Sequence, residues 1–233
     1  MFSYYGSKSK IVDCYPKPKC ANIIEPFAGS ARYSLKYFEN DVTICDIDSN
    51  IIRIWKHLQN CNENDILKLP ILTKGDFLTN YKFLSEDEKL LIGYIIGTGS
   101  HIPRNKVSKQ ASEKHRIFKQ YSNISKQLFK IKHWEIKNIS FDQLPNISAT
   151  WFIDPPYQFG GEWYRHSNKK IDYTYLSHWC YERFGQVIVC ENTKANWLDF
   201  KPMIKMRGSN HVTTEAIWSN IPTSFNYTQM TIL

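Results

Sequence analysis

Apolar positions along this chain fall into two patterns. Short, mostly apolar runs at residues 20–27, 42–45, 150–153 and 187–190 predict strands, with a weaker candidate at 134–139. Between them apolar residues recur every three or four positions, which predicts helices. Ser34, Leu35, Tyr37 and Phe38 mark the first, opening at 31. Ile51, Ile52, Trp55 and Leu58 mark the second, over 50–58, and Leu90, Leu91, Tyr94 and Ile95 a third, over 86–96. Gly97-Thr98-Gly99-Ser100 breaks that helix, and residues 101–112 are expected to form a loop. Ile117, Tyr121, Ile124, Leu128 and Ile131 line one face of a predicted helix over 113–133. A further helix is expected within 171–184. Residues 213–218 and 227–233 predict an antiparallel hairpin that closes the sheet. Residues 60–80 show little pattern beyond a turn at Gly75-Asp76-Phe77. Strand and helix alternate, so the predicted class is α/β, without internal repeats or a second independent domain.

Two strand ends carry chemistry. The first delivers Glu25-Pro26-Phe27 into Ala28-Gly29-Ser30-Ala31 and then a helix, the opening half of a nucleotide-type βαβ unit. Small residues there let a ligand approach the backbone. With a single glycine it is not the G-x-G-x-x-G turn of dinucleotide enzymes. The next strand ends at Asp46, 17 residues past Gly29, near where such folds bind a ribose diol. Asp46 could instead cap the following helix, though Asp48 and Ser49 are better placed for that. The strand Trp151-Phe152-Ile153 ends in Asp154-Pro155-Pro156-Tyr157. A carboxylate and a proline carbonyl are two acceptors suited to the N–H groups of an exocyclic amine, and the tyrosine is a face on which a flipped base stacks. The plainer reading is a Pro-Pro turn with a surface tyrosine. A polar loop follows at 158–170, containing Trp163, Tyr164, Arg165 and His166, and is expected to cover the site or contact a base.

Charge adds a partner. Residues 101–137 hold ten Lys and Arg, among them Arg104, Lys106, Lys109, Arg116 and Lys119, against Glu113 and Glu135. That window nets +8, the charge of the whole chain, so the remainder is neutral. A basic block on a neutral body is the footprint of a polyanion-binding face, although a lysine-rich solvated helix has the same composition. The six cysteines include no C-x-x-C pair, and no apolar run approaches the ~18 residues of a membrane span. Met1 to Lys10 lacks the apolar core of a secretory signal. The expectation is a cytoplasmic, reduced monomer without metal or membrane.

Taken in order, Tyr4-Tyr5-Gly6-Ser7-Lys8, Glu25-Pro26-Phe27-Ala28-Gly29-Ser30-Ala31, Cys45-Asp46-Ile47-Asp48, Asp154-Pro155-Pro156-Tyr157 and Thr214-Glu215-Ala216-Ile217-Trp218-Ser219-Asn220 resemble the Dam-type DNA adenine-N6 methyltransferases. The likeness is greatest to the compact forms carried by phages and prophages. The resemblance implies a class I methyltransferase sheet (Rossmann-like), residues 1–80 and 134–233, with a small helical target-recognition region inserted at 81–133. It implies S-adenosyl-L-methionine as cofactor and double-stranded DNA as partner. Tyr4, Lys8, Phe27, Ala28, Gly29, Asp46 and Asp154 would meet the cofactor, with Lys8 near its carboxylate and Asp46 on the ribose. Asp154, Pro155 and Tyr157 would hold the flipped adenine. Ser30 stands where many relatives have a second glycine. Ser140 stands where the family often has an acid, a place that Asp142 or Asp76 could fill. Cytosine N4, an RNA base, or nucleic-acid binding without catalysis are the other readings these residues allow.

Overall fold

The computed structural model describes residues 1–2, 4–109, 114–207 and 212–222. The strands are β1 (Asn22–Glu25), β2 (Asp41–Cys45), β3 (Glu135–Lys137), β4 (Ala149–Ile153), β5 (Gly185–Asn192), β6 (Lys201–Arg207) and β7 (Val212–Ser219). They form one sheet in the order β3-β2-β1-β4-β5-β7-β6. The first five are parallel, and β7 enters antiparallel between β5 and β6. The order reverses between β1 and β4, so a crevice opens at their C-terminal ends, the place where open α/β sheets bind ligands.

Strand alternation builds two cores, one on each face. Phe152 of β4 and Ile188 and Cys190 of β5 join one cluster; Trp151, Ile153, Val187 and Val189 join the other. Both faces are covered, which is why these strands are continuous apolar runs and not alternating ones. Over the first face lie α2 (Ser49–Asn60), α4 (Glu86–Gly97) and α5 (Lys114–Ser125), with α1 (Arg32–Lys36) and α3 (Glu63–Leu67) beside them. Over the second lies α6 (Tyr173–Tyr181), through Leu176, Trp179 and Cys180. Asp48 caps α2 by accepting from the Asn50 N–H at 3.0 Å. Ser85 and Glu88 form a reciprocal capping box at the start of α4, and Asn62 and Asp65 another at α3.

Two expectations need correction. The predicted helix over 113–133 ends as α5 at Ser125 and continues only as a 3₁₀ turn, Leu128–Ile131, because its apolar spacing serves either helix type. The strand paired with residues 213–218 is β6, not 227–233: β7 has β5 on one edge and β6 on the other. Residues 227–233 lie outside the described residues. Among the described residues no helix is long and apolar enough to cross a membrane.

Candidate active site

The crevice at the ends of β1, β2 and β4 is a cavity of about 310 Å³. Tyr4, Lys8, Phe27, Ala28, Gly29, Asp46 and Asp154 all line it. A second cavity adjoins it, lined by Tyr157, Gly160, Gly99, Met206 and Glu215, and the two share a wall made of residues 4–8 and Tyr164. Pro155 is buried and lines neither.

The Gly29 turn is held from three sides. The Ala28 N–H donates to the Cys45 carbonyl, the Trp55 Nε1–H to the Gly29 carbonyl at 2.9 Å, and the Gly29 N–H to Asp46 Oδ2 at 3.0 Å. Gly29 has φ of 44°, and a Cβ there would lie 3.1 Å from the Tyr4 ring, so only glycine fits without displacement. The other left-handed residue of the turn is Ala31, with φ of 42°. The strained place of this turn is therefore Ala31 and not Ser30. Asp46 also accepts from the Asp48 N–H at 2.8 Å; burial pushes its carboxyl up to about 6 against those two bonds. Phe27 and Phe141 face each other across 5.4 Å at 31° on the same cavity wall. Asp142 lines that wall as well, whereas Asp76 is spent on the Thr73 N–H and the Tyr81 hydroxyl.

Asp154 leaves β4 with the parity of Phe152, toward the N-terminal loop. Its Oδ1 lies 2.9 Å from Lys8 Nζ. Burial raises Asp154 to about 6, Lys8 works against that shift and Glu215 adds to it. For Lys8, burial favours the neutral amine, but Asp154 and Glu215 outweigh it and hold the ammonium charged. The turn after Asp154 is fastened at Pro156, Tyr157 and Gln158. The Tyr173 hydroxyl donates to the Pro156 carbonyl at 2.5 Å, the Tyr157 hydroxyl to Glu215 Oε1 at 2.5 Å, and the Gln158 N–H to Glu191 Oε1 at 2.5 Å. Lys8 Nζ sits 4.6 Å from the centre of the Tyr157 ring. Glu25, whose carboxyl burial raises to about 8, lines the first cavity and accepts from the Ser34 N–H at 2.6 Å.

The loop expected to cover the site or contact a base supplies two further contributors. Tyr164 stands in the shared wall, and Arg165 reaches Asp48 Oδ1 at 3.1 Å, which draws the 158–170 loop across the end of β2. Both were visible only as members of a polar loop. Arg104, Lys106, Lys109, Arg116 and Lys119 are exposed and line neither cavity. Other cations of the basic block are engaged elsewhere. Lys132 donates to the carbonyls of Gln59 and Cys61, Lys130 lies over Phe38, and Lys137 pairs with Glu135. Among the described residues no group of His, Cys, Asp and Glu is arranged to hold a metal ion.

Among curated proteins no sequence matches the chain. The family model for D12 class N6 adenine-specific DNA methyltransferase matches residues 4–178, a span that takes in the N-terminal loop, the Gly29 turn, Asp46 and the Asp154-to-Tyr157 turn. A match over well over half the chain, on a class I methyltransferase sheet whose crevice gathers those segments, makes this chain a member of the D12 class N6 adenine-specific DNA methyltransferases.

Proposed function

We propose that the chain transfers a methyl group from S-adenosyl-L-methionine to the N6 amine of an adenine flipped out of duplex DNA. The observation that carries this reading is the placement of Asp154 against the wall shared by two adjoining cavities. The first cavity has the donor and acceptor set such a cofactor needs. Asp46 offers acceptors for ribose hydroxyls, and Phe27 and Phe141 offer apolar faces for the adenine. Asp142 stands in for the acid absent at Ser140, and Lys8, one of the cations lining the cavity, is the one we assign to the cofactor carboxylate. When bound, the cofactor supplies an electrophilic methyl group.

The chain's own residues handle the nucleophile. The lone pair of an adenine amine is delocalised into the ring, which makes the nitrogen a poor nucleophile. Asp154 accepts a hydrogen bond from one N–H, which draws the lone pair onto nitrogen; Pro155, buried outside both cavities here, would accept from the other N–H only once the turn shifts to seat the base. Tyr157 supplies the face for the base. As the new N–C bond forms, the nitrogen becomes cationic and gives up one proton. Asp154, near pH 6 in its own titration, takes that proton and returns it to solvent.

Labelled cofactor incubated with mixed-sequence duplex DNA, followed by nucleoside analysis, is expected to place label in N6-methyladenine. At saturating cofactor the single-turnover rate should rank wild type above Asp154→Asn and Asp154→Asn above Asp154→Ala. The full loss should be roughly 10²–10³-fold, as for removal of one preorganised group. DNA affinity should change far less. A fully active Asp154→Ala would reduce the turn to a structural role.

A further inference from the structure

Glu215 lies on β7, beyond residue 178 where the family match ends, yet its carboxylate is where separate parts of the site meet. A single oxygen, Oε1, accepts from the Tyr15 hydroxyl at 2.6 Å and from the Tyr157 hydroxyl at 2.5 Å, and lies 3.6 Å from Lys8 Nζ. We propose that Glu215 is a positioning residue of the methyl-transfer site, holding the Tyr157 ring and sharing the Lys8 ammonium so that both the stacking face and the Asp154 carboxylate stay available to the target base.

Burial alone gives no reason for a carboxylate here. Glu215 is 1% exposed, on the same strand face as the core residue Ile217, where an aliphatic side chain would cost less. Its backbone is fixed by ladder pairing on both edges, opposite Asn192 of β5 and Ile204 of β6. A carboxylate held that rigidly is a fixed reference for whatever donates to it. Tyr15 and Tyr157 are both held protonated, by burial first and by the neighbouring carboxylates after it, so both act as donors. The bond anchors the hydroxyl tip of Tyr157 to a carboxylate that the Tyr15 phenol and the ladder hold in turn, which fixes where the ring sits. Lys8 lies over that ring, and the ring lines the second cavity.

The second effect is on Lys8. Its ammonium stands between two carboxylates, 2.9 Å from Asp154 and 3.6 Å from Glu215. Without Glu215, Asp154 would be the closer of its anionic partners and would hold it alone, and an ammonium seated there competes with the target amine for the same acceptor. Sharing keeps part of the Asp154 carboxylate open. This inference rests on the assignment of Asp154 and Tyr157 to the target base.

The test is single-turnover methyl transfer to mixed-sequence DNA at saturating labelled cofactor, with folding checked by thermal melting. Glu215→Ala is expected to lower the rate about 10- to 100-fold, the scale of misplacing a reacting group by about an ångström. Because Lys8 also lines the cofactor cavity, rates are compared only at cofactor saturation, so that a change in affinity does not enter them. Glu215→Gln keeps an acceptor for the phenols but not the charge shared with Lys8, and should fall between wild type and Glu215→Ala. Tyr157→Phe keeps the ring and removes the tether. Its loss combined with that of either Glu215 variant should be clearly less than the product of the single losses. Full rate in a folded Glu215→Ala, or losses that multiply independently, would overturn the proposal. If Glu215→Ala does not fold, Glu215→Gln alone and with Tyr157→Phe decides by the same two criteria. Asp154→Ala, run alongside, separates the two levels: full rate there removes the assignment of the reacting centre, whatever Glu215 does.

Discussion

An ionised carboxylate is a much stronger hydrogen-bond acceptor than the protonated acid and alone can take a proton, so Asp154, acting as proposed, gives the reaction a pH signature. Burial raises it to about 6, Lys8 opposes the shift and Glu215 reinforces it. The single-turnover rate at saturating cofactor should therefore be level above that value and fall as pH drops through about 6, because the protonated acid is a weaker acceptor and cannot take the proton the amine gives up. An acidic limb near the ordinary value of about 4 would instead describe a solvated carboxyl with no burial to overcome. Residues of this kind were legible in the sequence when their function was local. Asp154, Pro155 and Tyr157 follow one another, and their place at a strand end follows from three apolar residues. Glu215 was visible as part of a motif but its use was not. Its partners at 8, 15 and 157 come together only through the sheet. Asp142 could not be chosen over Asp76 until the cavity wall was known.

The turn between β1 and α1 decides how close a ligand comes to the backbone. Gly29 has a left-handed φ and the Tyr4 ring stacked where a side chain would begin. Gly29→Ala adds a backbone cost of roughly 1–2 kcal/mol and pushes Tyr4 toward the cavity. The expected outcome is a folded protein whose cofactor affinity, measured by calorimetry, falls at least several-fold. Unchanged affinity would take this turn out of the cofactor site. Elements buried on both sides were easy to find, since β4 and β5 are built around the mostly apolar runs Thr150–Ile153 and Val187–Cys190. β6 was missed because Lys-Pro-Met-Ile-Lys-Met-Arg carries a proline and three cations, a composition tolerated at a sheet edge, where one side needs no ladder partner. The short α3 was missed because five residues contain too few turns to show a period.

At the scale of the molecule, the cofactor crevice and the basic surface are separate features of one body. α4 and α5 share the core of the sheet's first face, and the exposed Arg104, Lys106 and Lys119 stand outside both cavities. If they meet the DNA backbone, each phosphate contact contributes a slope of about −0.9 in log K against log salt. Replacing these three by Ala should flatten the slope measured on mixed-sequence duplex, with little effect on the rate at saturating DNA. An unchanged slope would return the block to an ordinary solvated surface. The family membership selects adenine N6 in DNA among the amines the motif alone allowed.

The position of β7 also bears on synthesis. A nascent chain acquires the Gly29 turn, Asp46 and Asp154 early, but β7 slots between β5 and β6, both of which precede it in sequence. Until it emerges from the ribosome, β5 keeps an open edge and the Tyr157 phenol lacks its acceptor. β6 waits with it, because among the described strands β7 is its one ladder partner; if Glu215 positions Tyr157 as proposed, the growing polypeptide completes its site only when this strand pair docks together onto the free edge of β5.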